Sequence, residues 1–332
     1  MKKYSIAFIY ITMLVLTSSA QSELTNDCTA EKLRQIPGTW KAGQQGSIAN
    51  VTATDLVREK AVIANIHNMI SSNYSPMGCQ IAYSTVFGKN PGNGETFIAD
   101  PYHYAMYILR YLCDPSSTDK SKYYVDISTP TTVNIIANAM YFMNNIYAAN
   151  IPVDDSRGYL KLENRPERKD GVYFMGKKKE SYNEEIYEYR WLITYSDTLP
   201  FSYVSRKEYL LIQKNRLEKS IKDSPGEKEY SQKYLDNISG YLAKPESDLT
   251  QPAICMWNDE ERFNGFVEEG TRGSFIAVKP NLAYYNKSLP KSSPQFFTVV
   301  YKLNQGDPVF EANIEAIKEA VDFAKLKSML GK

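Results

Sequence analysis

The stretch "QFFTVVYKL", residues 295–303, constrains the fold more than any other part of the chain. Side chains of a strand alternate, so Phe297, Val299, Tyr301 and Leu303 share one face while Phe296, Thr298, Val300 and Lys302 share the other. The first face is wholly apolar. A monomer seldom leaves a contiguous apolar patch in water, so this strand requires a sheet with a covered face, and Phe297, Val299 and Leu303 are predicted core. Tyr284 and Tyr285 precede a turn broken by Pro290 and several serines, and they are the candidate surface rings.

The remaining segments alternate between helical and strand periodicity. "TATDLVREKAVIANIHNMISS" puts Leu56, Ile63, Ile66 and Ile70 on one helical face, with Thr52 and Thr54 as N-cap candidates. "GCQIAYSTVFG" and "YHYAMYILRYLC" read as strands, whereas periodicity leaves "TTVNIIANAMYFM" open between strand and helix. In the second half, "GYLKLENRPERKDGVYFMG" gives two strand-like runs around Asp170-Gly171, a pair suited to turns that need positive φ. "EIYEYRWLITY" is a further strand. Ser205 and Glu208 have capping-box spacing at the head of "RKEYLLIQKNRLEKSIKD", a helix stopped by Pro225 and Gly226. A second helix, the short strands "PAICMW", "FNGFVEE" and "GSFIAVK", and a last amphipathic helix, "FEANIEAIKEAVDFAKLKSML" with Gly331 as its stop, complete the pattern. The expectation is an α+β fold of antiparallel sheets with several amphipathic helices, in two subdomains spanning residues 28–150 and 151–332.

The N-terminus "MKKYSIAFIYITMLVLTSSAQS" has the charged, apolar and small-residue order of a secretory signal peptide, with cleavage expected after Ala20. Its apolar run is shorter than the roughly 20 residues a bilayer requires, and no later stretch approaches that length. The expectation is a mature chain without a transmembrane segment, in the periplasm or outside the cell. Loss of the leader removes two lysines and no acid, so the mature chain is close to neutral and lacks the basic footprint of a nucleic-acid or anionic-lipid binder. Cys28, Cys79, Cys113 and Cys255 form no CxxC pair. An oxidising compartment favours a disulfide, expected between Cys79 and Cys113 because both lie in strand-like segments. Buried free thiols remain the other reading.

Few residues suggest chemistry. His67 adjoins the apolar face of the first helix without an HExxH neighbourhood, and His103 has Asp100 three residues before it. No GxSxG elbow, P-loop or GxGxxG occurs, and no metal or cofactor is expected. Asp259, Glu260, Glu261, Glu268 and Glu269 flank "RFNGF" near Trp257; two carboxylates across an aromatic-floored cleft would suit glycoside hydrolysis. Tyr284, Tyr285 and Trp257 are the candidate ligand-binding rings. The favoured expectation is a non-catalytic protein that binds a glycan, peptide or envelope partner. The alternative is a carboxylate-dependent hydrolase acting on glycan or peptide, using Glu261 or His103.

"TYSDTLPFSYVSRKEYL", with Arg206-Lys207-Glu208-Tyr209-Leu210 after a Pro-Phe, and Leu289-Pro290-Lys291 leading to Pro294-Gln295-Phe296 carry a resemblance. In these motifs, mainly in its second half, the chain resembles a group of uncharacterised exported proteins of Bacteroidota-type bacteria. The resemblance implies export and assigns no catalytic residue.

Overall fold

A computed structural model describes residues 28–88, 99–139, 159–180, 185–195, 197–259 and 262–332. The predicted leader, Glu260, Glu261 and the end of "TTVNIIANAMYFM" lie outside the described residues. The chain begins with α1 (Ala30–Arg34), β1 (Thr39–Ala49), α2 (Ala53–Ser71) and β2 (Cys79–Gly88). Strands β1 and β2 run parallel, with α2 as their crossover. Thr52 caps α2 by accepting the Asp55 N–H at 3.1 Å; Thr54 is already inside the helix. Next come β3 (Tyr102–Cys113), β4 (Tyr123–Val125) and β5 (Thr132–Ala137).

The second half opens with β6 (Leu160–Leu162), β7 (Glu167–Lys169), β8 (Val172–Lys179) and β9 (Ile186–Thr194). Asp170 and Gly171 adopt φ of 50° and 79°, which is the turn the sequence predicts between β7 and β8. Then follow β10 (Phe201–Tyr203), α3 (Arg206–Asp223), α4 (Lys228–Leu242), α5 (Glu246–Leu249), β11 (Ile254–Met256), β12 (Ser274–Pro280), β13 (Phe296–Asn304), α6 (Pro308–Ala320) and α7 (Phe323–Ser328). Ser205 caps α3 through the Glu208 N–H at 3.2 Å, but the Glu208 carboxylate bonds Lys279 Nζ on β12 at 2.6 Å and ties helix to sheet. "FNGFVEE" forms no strand. The last helix divides where Asp322 turns its carboxylate to the Lys325 N–H at 2.9 Å and starts α7.

Among the described residues, the larger sheet has nine strands in the order β1-β2-β3-β5-β13-β9-β8-β7, with β4 beside β3. The smaller has four, β10-β12-β11 with β6 beside β12. Apart from the parallel β1–β2 pair, adjacent strands are antiparallel. Because β13 lies between β5 and β9, strands from both halves share one sheet, and residue 150 does not divide it.

Four layers follow from strand alternation. Phe297, Val299, Tyr301 and Leu303 face α2, α6 and α7, joining Ile66, Ile70, Phe310 and Ile314 in one apolar cluster. On the opposite face, Phe296 and Leu192 meet Ile276 and Val278 of the smaller sheet. The alternate residues of β12, Phe275 and Ala277, pack beneath Tyr209 and Leu210 of α3 and Ile238 of α4. Strand β13 is therefore buried on both faces, which a single-sided reading of its alternation does not anticipate.

The expected Cys79–Cys113 disulfide is replaced by Cys28–Cys113, with Cα atoms 5.7 Å apart. Register explains the correction. Cys79 lies opposite Arg110, three residues short of Cys113, so at strand rise the two Cα atoms are separated by about 10 Å along the ladder. A disulfide spans no more than about 7 Å. Cys79 and Cys255 are buried thiols outside the disulfide.

Candidate functional site

Tyr284 and Tyr285 are not surface rings. Both are buried between the sheets against Phe296. The Tyr284 hydroxyl donates to the Gln295 carbonyl at 2.6 Å and accepts from the Tyr195 N–H at 3.3 Å. Their role is packing. Tyr284→Phe should therefore cost about 1–2 kcal/mol of unfolding free energy in urea titrations, from two backbone groups left unsatisfied. An unchanged stability would contradict this placement.

Trp257 is half-buried, and one face of its ring is taken by an internal cation: Lys161 Nζ lies 3.7 Å from the ring centroid. Lys161 is itself buried and also sits 5.1 Å from the Phe275 ring centroid. Of the acidic group, Glu268 and Glu269 are exposed, and Glu269 holds the Arg165 Nε at 2.8 and 2.6 Å. Arg165 in turn covers the Tyr203 ring at 4.6 Å. Glu268 follows β11 of the smaller sheet, whereas His103 lies on β3 of the larger one.

Desolvation lowers the pKa of both histidines. His67 Nδ1 is 2.8 Å from the Tyr104 hydroxyl, inside a ring cluster with Trp40 and Tyr83. Burial pushes the His67 imidazole below its ordinary value and brings His103 down to about 4. Both are neutral at physiological pH.

The residues best placed for recognition lie elsewhere, on the face of the larger sheet that also carries the smaller sheet. Register sets Ala82, Tyr107, Thr132, Lys302, Glu188 and Lys178 in one lateral row across β2, β3, β5, β13, β9 and β8. The next row holds Ser84, Ala105, Asn134, Val300 and Arg190. Glu188 accepts a hydrogen bond from Arg190 Nε within its own strand, and both side chains are nearly buried. Tyr107 is 38% exposed, enough to present its ring, while Thr132, Lys302 and Lys178 are partly exposed. At a strand spacing of about 4.8 Å, Tyr107 and Lys302 stand roughly 10 Å apart.

The accessible members of this row are the candidate site: the Tyr107 ring, the Thr132 hydroxyl and the Lys302 ammonium group, with the nearly buried Glu188–Arg190 pair beside them. Its trace in the sequence is the second parity of the strands, His103 and Tyr107 in "YHYAMYILRYLC" and Glu188 and Arg190 in "EIYEYRWLITY". Compared with known proteins, the chain matches no protein family, no curated protein and no solved structure.

Proposed function

We propose that this is an exported, non-catalytic binding protein that holds a glycan along the Tyr107–Thr132–Lys302–Glu188 row. The observation that carries the reading is the ring of Tyr107, exposed at one end of a row of hydrogen-bonding side chains at strand spacing. A sugar has a C–H face that packs on an aromatic ring and hydroxyls that take donors and acceptors at its rim. Tyr107 supplies the ring, and Thr132 and Lys302 supply hydrogen-bonding groups, the Glu188–Arg190 pair lying nearly buried beside them. The leader in the sequence and the Cys28–Cys113 bridge support export, since disulfides persist in oxidising compartments. A carboxylate hydrolase has less support, because Glu269 is engaged by Arg165.

The test is calorimetric titration of the mature protein with neutral and acidic oligosaccharides. Binding should appear for at least one of them. Tyr107→Ala should weaken it about tenfold or more, an aromatic contact being worth roughly 1.4 kcal/mol, with the melting temperature unchanged. Absence of binding across the panel, or full affinity in Tyr107→Ala, would overturn the proposal.

A further inference from the structure

A second polar feature lies at the corner where β1, β2 and α2 meet. Glu59 of α2 is fully buried. Its Oε2 accepts the Gly88 N–H at 2.8 Å, while Oε1 has no hydrogen-bond partner among the described residues. Gly88 pairs with Ala49 at the end of the β1–β2 ladder. With φ of 70°, and with any added Cβ only 2.2 Å from the Ala49 carbonyl oxygen, the position requires glycine. Glu59 thus fastens the end of the ladder to the helix.

The groups around this carboxyl are mostly acidic or neutral. From α2 itself come Asp55, paired with Arg58 at 3.4 Å, and Lys60, whose Nζ lies 5.8 Å from the Phe87 ring centroid. The approach to β3 contributes buried Asp100 and Tyr102. The segment before β13 contributes Ser292, whose hydroxyl donates to Asp55 at 2.7 Å and whose carbonyl accepts from Tyr102 at 3.0 Å. Lys291 offers its carbonyl to the Asp100 N–H at 2.7 Å and leaves its side chain exposed. Among the described residues, no cation pairs with Glu59.

We propose that Glu59 is a proton-operated fastening: protonated, it holds the end of β2 against α2, and ionised, it releases that corner. Burial is the main cause, since a desolvated carboxylate without a counter-charge is costly. It raises the Glu59 pKa to about 7, opposed by the Gly88 hydrogen bond and reinforced by Asp100 and Asp55. Asp55, by contrast, is held below its ordinary value, chiefly by Ser292. The sign follows from the raised folded value. The fastening contributes fully below the unfolded carboxyl pKa of 4.5 and is lost as pH rises through about 7. The shift limits the change in the local opening constant to roughly 300-fold.

Hydrogen exchange of the mature protein, corrected for intrinsic rates and referenced to β13, provides the test. Amides of Gly88 and the first turns of α2 should lose at least about tenfold protection between pH 5.5 and 8.5. Glu59→Gln keeps an acceptor for Gly88 and should abolish that difference. Equal protection at the two pH values, or a difference that persists in Glu59→Gln, would overturn the inference. Carboxyl carbon NMR of the wild-type protein guards against a variant that does not fold. A Glu59 midpoint near 7 supports the fastening, and one near 4.5 refutes it.

Discussion

Phe297→Ala should lower the unfolding free energy by about 3–5 kcal/mol, the usual loss when a buried phenylalanine is truncated and its cavity collapses only partly. Phe297 is fully buried. It stands on β13 between Ala137 of β5 and Ile193 of β9, so its ring contributes to packing where the first and second halves of the chain meet. It belongs to the apolar cluster beneath α2, α6 and α7, and a cavity there removes contacts from several elements at once. Urea unfolding should show a lower midpoint with an unchanged slope, because the surface exposed on unfolding is nearly the same. Phe297→Leu, which retains most of the volume, should cost less than half as much. A loss under 1 kcal/mol for the alanine variant would place this residue outside a packed core.

Local physics made much of the fold legible. The alternation in β13 identified its inner face, Thr52 was recognisable as a cap, and Asp170-Gly171 carried its turn chemistry. What failed depended on partners distant in the chain. The burial of Phe296 and Tyr284 requires the smaller sheet, whose strands come from residues 160–162, 201–203, 254–256 and 274–280. The disulfide partner of Cys113 was hidden for the same reason. Two strand-like segments suggested Cys79, whereas the register opposite Arg110 excludes it and α1 brings Cys28 instead.

The candidate site was harder still to read. Tyr107 and Lys302 are separated by almost two hundred positions in the chain, and they come into one row, two strands apart, only because β13 enters the sheet beside β5. No spacing motif can encode that arrangement. Glu59 had an equally ordinary appearance, since "REK" on an amphipathic helix suggests a solvated face. The fold places the middle residue of that triplet under Gly88 while leaving its two neighbours at the surface. Within the sheet, packing of the smaller sheet near Phe296 and Leu192 covers one end of the face, whereas the row from Tyr107 to Lys178 lies several residues along the strands from that contact.

Removing the disulfide should have an effect close to that of Phe297→Ala. Cys28 and Cys113 are 85 residues apart in sequence, so their bridge greatly restricts the unfolded chain. Chain entropy gives about 4.6 kcal/mol for a loop of this size, and losses of native bridges commonly fall near 2–5 kcal/mol. The bridge also secures α1 beside β3 and β4, where Leu33, Tyr111 and Tyr123 form a small apolar cluster of their own. Replacing both cysteines with serine should therefore lower stability by about 2–5 kcal/mol, read from urea midpoints, and α1 should lose exchange protection before the sheets do. Alkylation followed by mass spectrometry checks the pairing itself. Denatured, unreduced protein should take up label at Cys79 and Cys255 only, and reduction should add Cys28 and Cys113. In the folded protein Cys79 should resist labelling, because burial hides the thiol and raises its pKa to about 12. Label on Cys28 without reduction, or a bridge recovered between Cys79 and Cys113, would overturn this connectivity.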